Sequence, residues 1–161
     1  MKALVVYYSV TNGNTEKLAK QAAEALHAEI CRIETAEPYT GTREEMTVTA
    51  RDQIYTGELP ELKPLAVSPA DFDTVVIGTP TWWYTVAPAV RAFMRSCDLS
   101  GKRVHLFQTH GGQPGSALRD LRLLCKGEVV SEFSAAFDAD GGAEQVTPQT
   151  EIDAWLRSLA D

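Results

Sequence analysis

Three features of the sequence predict an α/β fold built on a doubly wound parallel sheet. Runs of strand-forming residues without polar alternation alternate along the chain with segments whose apolar residues recur at helical spacing. Three of the strand runs lead into loops of unusual composition, at Ser9 to Thr15, Thr79 to Tyr84 and Thr109 to Gly115. The length of 161 residues suits one domain, 1–161, with enough interior for a sheet covered on both faces.

Lys2 to Tyr8 reads as a strand buried on both faces. Leu18, Ala19, Ala22, Ala23 and Leu26 then form the apolar stripe of a helix. Glu29 to Glu34 is a short second strand around Ile30 and Ile33. Pro38 to Pro69 is the least regular stretch. Arg43 to Tyr55 has some helical character, but Thr47, Val48 and Thr49 weaken it, because β-branched residues lose rotamer freedom in helices. Gly57, Pro60 and Pro64 mark an extended connector.

Phe72 to Gly78 is the clearest buried strand, with Val75, Val76 and Ile77 at its centre. An aromatic loop at Thr81 to Tyr84 precedes a helix carrying Val86, Val90, Phe93 and Met94. Pro88 fits its first turn, where a missing N–H costs little. Val104 to Gln108 is a fourth strand. Ser116 is placed to cap a helix whose Leu118, Leu121 and Leu124 face inward. Glu128 to Phe137 is the fifth strand. Thr147-Pro148 opens a final helix with Ile152, Trp155, Leu156 and Leu159 on its buried face.

Composition narrows the function. A net charge of −7 argues against nucleic acid, which needs clustered Lys and Arg, and suits a basic patch on a partner protein. Met1 to Tyr8 is apolar but too short to cross a membrane, and it lacks the pattern of a secretory signal. The expectation is a cytoplasmic protein without membrane insertion. Cys31, Cys97 and Cys125 have neither metal nor redox-motif spacing and read as small, partly buried residues in a reducing compartment.

The chemistry lies in the loops, since ligands of open α/β sheets bind outside the carboxyl ends of the strands. The first loop offers hydroxyls at Ser9, Thr11 and Thr15, amides at Asn12 and Asn14, and the flexible Gly13 beside Val10. It leads into a helix, whose first N–H groups favour an anion such as a terminal phosphate. The same residue types also suit a plain helix cap and turn. The loop has no Gly-Lys-Ser/Thr ending and no G-x-G-x-x-G spacing, which removes nucleoside-triphosphate and dinucleotide loops. No acidic cluster follows the first strand, which argues against a phospho-acceptor domain. Trp82-Trp83 provides indole surface for a planar ring, or packs on the following helix.

Taken together, Tyr7-Tyr8-Ser9 through Asn14-Thr15, Gly78-Thr79-Pro80-Thr81-Trp82-Trp83 and Phe107-Gln108-Thr109-His110-Gly111-Gly112 resemble the loops of the flavodoxin family, specifically its short-chain bacterial flavodoxin-like FMN proteins. The likeness runs through nearly the whole chain. It implies a flavodoxin-like three-layer sandwich: a five-stranded parallel sheet in the order 2-1-3-4-5 with helices on both faces. The implied cofactor is non-covalent FMN. By that resemblance Ser9, Val10, Thr11, Asn12, Gly13, Asn14 and Thr15 form the phosphate loop. Thr79, Pro80, Thr81, Trp82, Trp83 and Tyr84 line the flavin ring, as do Thr109, His110, Gly111, Gly112 and Gln113.

Two departures from the family pattern stand out. The first loop is one residue longer, with Asn12 as the insertion. Tyr84 stands where related proteins often carry Gly, so a peptide flip there is hindered by the cost of positive φ. Weak stabilisation of the one-electron-reduced flavin is the expectation. The resemblance implies an electron carrier shuttling between a reductase and an acceptor protein, as a monomer or weak dimer, with no catalytic side chain. The alternative is an FMN-dependent NAD(P)H oxidoreductase acting on quinones or similar small acceptors.

Overall fold

The computed structural model describes residues 1–10, 12–139 and 142–161. Its elements follow one another as β1 (Ala3–Tyr7), α1 (Asn14–Leu26), β2 (Glu29–Arg32), α2 (Arg43–Thr56), β3 (Thr74–Trp82), β4 (Thr85–Val86), α3 (Pro88–Ser96), β5 (Arg103–His110), α4 (Ala117–Leu124), β6 (Glu128–Ala136) and α5 (Gln149–Ser158). The sheet order is β2-β1-β3-β5-β6, and every pair along that path is parallel. With the short β4 set aside, this is the expected 2-1-3-4-5 order.

Strand alternation splits the core between the two faces of the sheet. Leu4, Val6, Val75, Ile77, Val104 and Leu106 point to one face, where Val90, Phe93 and Met94 of α3 and Leu121 of α4 cover them. Val5, Tyr7, Val76 and Phe107 point to the other, beneath Leu18 and Ala22 of α1 and Ile152 and Trp155 of α5. Trp155 stacks on Phe133 at 4.8 Å between ring centroids and tilts against Phe107 at 5.4 Å. Close packing on this face leaves no room at Gly78, where a Cβ would overlap the Phe107 ring.

Three local expectations are revised. The aromatic segment Thr81 to Tyr84 is half strand and half turn: β3 continues to Trp82 and turns back through Trp83 and Tyr84 into β4, with Thr81 opposite Val86 and Trp82 opposite Thr85. The uncertain Arg43 to Tyr55 segment is a helix of 14 residues, α2. A capping box starts it, with Thr42 Oγ1 accepting from Glu45 N–H and Glu45 Oε2 accepting from Thr42 N–H. Thr47 and Thr49 turn their hydroxyls onto the carbonyls of Arg43 and Glu45, four residues back, so their polar groups are satisfied within the helix. Ser116 occupies the position before α4, but its hydroxyl donates to Asp120 at 2.5 Å and caps no N–H.

Among the described residues, no helix is long and apolar enough to cross a membrane. Cys31 is buried, and Cys97 and Cys125 are partly buried free thiols.

Candidate functional site

The strand order reverses direction between β1 and β3, and the carboxyl ends of β1, β3, β5 and β6 open there on a cavity of about 430 Å³. Its size falls in the range of small-molecule sites, roughly 300–1,000 Å³. Ser9, Val10, Asn14 and Thr15 line it from the first loop. Pro80, Thr81, Trp82, Trp83 and Tyr84 line it from the hairpin, and Thr109, His110, Gly111 and Gln113 from the third loop. These are residues that the sequence singles out, brought together from three distant segments.

Other predicted residues lie elsewhere. Asn12, Gly13 and Gly112 do not line the cavity. Gly13 instead precedes α1 in the left-handed conformation, φ 71°, and its carbonyl accepts from Lys17 N–H. Thr79 is fully buried; its hydroxyl donates to the Pro80 carbonyl and accepts from Ala87 N–H, which ties β3 to the start of α3. Thr11 lies outside the described residues.

One end of the cavity is built from neutral donors. Thr15 Oγ1 and Thr109 Oγ1 are 2.8 Å apart, joining the first turn of α1 to the end of β5. Ser9 is only 2% exposed, and its hydroxyl has no hydrogen-bond partner among the described residues. The N-terminus of α1 directs N–H groups that lack helical partners toward the same end. Asn14 is already engaged, its Nδ2 donating to the Gly142 carbonyl at 2.9 Å. A hydroxyl left over in a buried wall, beside a helix N-terminus, is the donor set for an uncharged cradle around a phosphate.

The other end is aromatic, and the two tryptophans differ. Trp82 is wedged edge-on between Tyr8 and Tyr39, with centroid separations of 5.6 and 5.4 Å. Trp83 stands at the rim, 41% exposed, with its Nε1–H donating to the Thr47 carbonyl at 2.8 Å and Arg51 lying over its ring. Trp83 and Tyr84 both have positive φ, 51° and 65°, as a tight hairpin of this kind demands. The cost expected for Tyr84 is therefore met by the fold, not avoided. Ser116 N–H donates to the Tyr84 carbonyl at 2.8 Å, and Gly115 allows the approach, since a Cβ there would overlap that carbonyl.

His110 accepts from Gly112 N–H at Nδ1, 3.0 Å, and burial lowers its pKa from the ordinary value. The ring is thus neutral near pH 7, with its proton on Nε2. Phe137 and Asp138, past the end of β6, complete the wall.

Sequence reasoning missed one side of the cavity. Arg43, Met46, Thr47 and Ala50 of α2 line it. Only Ala50 of that helix is buried, so no apolar stripe announces its role. The aromatic Trp83 beside it was the nearest signal, since its indole N–H requires a partner.

A parallel α/β sheet with a half-polar, half-aromatic cavity at its switch point defines a nucleotide-type ligand binder of the doubly wound class. The family model for flavodoxin matches residues 2–134, and the chain belongs to that family. Among solved structures, it is similar to a flavoprotein in complex with FMN from Lactobacillus acidophilus NCFM, at 20% identity over 96% of this chain and 97% of that one, TM-score 0.75. A putative flavoprotein from Bacteroides uniformis ATCC 8492 is 23% identical over 97% of both chains, TM-score 0.75. A flavodoxin from Streptococcus pneumonia TIGR4 is 15% identical over 99% and 95%, TM-score 0.58. No curated protein matches the sequence at a comparable level.

Proposed function

We propose that the cavity binds FMN non-covalently and that the protein is a flavodoxin-type electron carrier between redox partner proteins. The two-ended cavity carries this reading, with the Ser9 hydroxyl, the Thr15–Thr109 pair and a helix N-terminus at one end and a tryptophan wall at the other. The flavodoxin family match and the FMN held by the similar Lactobacillus flavoprotein support it.

When bound, FMN supplies one- and two-electron redox chemistry. Ser9, Thr15 and Thr109, with the first N–H groups of α1, would hold the phosphate through neutral hydrogen bonds. Trp82, Trp83 and Tyr84 would line the ring and exclude water from it. His110 holds its proton at Nε2 and presents a neutral donor. Asp138, an acid in the cavity wall, disfavours negative charge gathering on the ligand. Outer-sphere electron transfer needs no side-chain acid or base, and we assign no catalytic residue. A reducing, cytoplasmic compartment fits the three free thiols.

One observation favours a second reading. α2 adds Arg43, Met46, Thr47 and Ala50 to the cavity wall, a recess suited to a small acceptor in an FMN-dependent NAD(P)H oxidoreductase. Anaerobic mixing of the FMN-loaded protein with NADH or NADPH separates the two. A carrier bleaches only after a reductase is added; rapid direct bleaching would establish the oxidoreductase and overturn the carrier.

A further inference from the structure

A second cleft, of about 240 Å³, lies at the carboxyl end of β2 on the far side of the Ser9–Val10 segment from the main cavity. Both clefts share that segment as a wall. Tyr8, the residue after β1, is 4% exposed and lines the cleft, and its hydroxyl has no hydrogen-bond partner among the described residues. Burial raises the pKa of this phenol, so it stays a protonated donor at every physiological pH. The hydroxyl is not one of the buried unpartnered atoms, which among the described residues are His105 Nε2 and Trp155 Nε1; with no acceptor among the described residues, it is open to a ligand atom in the cleft.

The charged groups around it are unequal. Arg32, the last residue of β2, donates from Nη2 to the Ser9 carbonyl, which fixes its guanidinium at the cleft. It also lies beside the Tyr7 hydroxyl and, at 3.8 Å from Nη1, beside Glu16 Oε2, and these contacts use only part of its five donors. Lys63 also lines the cleft, and its ammonium forms no ion pair with any described residue. Glu34 is the one carboxylate in the lining. Tyr39 closes the cleft, with its own hydroxyl already donated to Gln53. One phenol, one guanidinium and one ammonium thus line the same cleft.

We propose that this cleft binds a phosphate group, as the free ion or as a small phosphate monoester, through Tyr8, Arg32 and Lys63. Three donors, two of them cationic, suit a phosphate with several acceptor oxygens and up to two charges better than a carboxylate, which Arg alone would grip in bidentate fashion. The site is separate from the FMN pocket and does not depend on it. It nonetheless touches that pocket through Tyr8 and Tyr39, both of which pack on Trp82.

Titration calorimetry of the full chain with inorganic phosphate, with and without FMN in excess, tests the assignment. Saturable one-to-one binding that survives excess FMN is expected. Tyr8→Phe keeps the ring on Trp82 and removes the donor; Lys63→Gln alters an exposed side chain that the fold does not need. Each should weaken phosphate binding about tenfold, the effect of one charge-assisted or buried hydrogen bond. Glu34→Gln should tighten it. Phenyl phosphate then separates the sources, since tighter binding than inorganic phosphate assigns a monoester and equal binding the free ion. The proposal is overturned by absence of saturable binding, or by full competition from FMN, which would put the phosphate in the main cavity. Unchanged affinity in both variants, or equal binding of acetate, would overturn it as well.

Discussion

At the scale of single residues, the site rests on a turn that its sequence does not favour. Positive φ at Trp83 and Tyr84 costs roughly 1 kcal/mol or more for each residue with a side chain, because Cβ approaches the following carbonyl. Strain of this kind persists where surrounding contacts over-determine it. Here those contacts are the Ser116 N–H bond to the Tyr84 carbonyl, the Trp83 bond to Thr47 and the β3–β4 pairs on either side. Tyr84 is 57% exposed, so little packing is lost with its side chain. Tyr84→Gly should therefore stabilise the fold by about 0.5–1 kcal/mol in urea denaturation, after the entropy that Gly adds to the unfolded chain. A loss of stability would mean that the turn is not strained. Gly115→Ala should do the reverse, because its Cβ meets the carbonyl that Ser116 holds. A destabilisation of a few kcal/mol is the expected size.

At the scale of elements, α2 and β5 show why some of the molecule was legible in the sequence and some was not. β1 and Val75 to Ile77 of β3 are continuous apolar runs because helices cover both of their faces, and their composition states this directly, whereas β5 mixes buried Val104, Leu106 and Phe107 with His105 and Gln108. α2 has no such signature. Its helix is set by the Thr42–Glu45 capping box and by hydroxyls folded back on the backbone, while its contribution to the cavity comes from tertiary placement. Thr42→Ala should cost α2 about 1 kcal/mol, read as faster amide exchange within Arg43–Thr56 against an unchanged sheet. The three loops were legible because each holds a cluster of Gly, Ser, Thr, Asn or Trp that strand interiors do not carry. The split of roles within them was not. Thr79 is turned away from the cavity and Thr81 into it, and Trp82 is wedged between Tyr8 and Tyr39 while Trp83 stands at the rim, differences set by the backbone and not by residue type.

β5 also carries a pH response. His105 is 2% exposed and bonds Ser131 through Nδ1, while Nε2 has no partner. Burial, helped by the charge of Arg103, depresses its pKa to about 4, against an ordinary 6.5. The unfolded chain therefore takes up this proton first as the pH falls. Its contribution is complete above pH 6.5 and is lost progressively down to pH 4, at most about 3 kcal/mol. A His105→Gln variant should flatten that limb of the stability profile between pH 4 and 6.5. Equal slopes in the two proteins would show that His105 is not held neutral.

At the scale of the whole molecule, the fold places four strand ends, one helix N-terminus and one side of α2 around the same cavity, and the family match gives that cavity a known kind of occupant. The formal charge of −7 suits a basic surface on a partner protein, as the proposed carrier role would require. Flavin fluorescence titration tests the central claim most directly. Adding the protein to FMN should quench its emission to a one-to-one endpoint, as indole surface closes on the ring. Riboflavin, which lacks the phosphate, should bind at least about tenfold more weakly, and Thr15→Ala should weaken FMN by a similar factor while leaving riboflavin unchanged. Unquenched FMN emission at saturating protein would contradict the account, and equal affinity for FMN and riboflavin would contradict the phosphate end of the site.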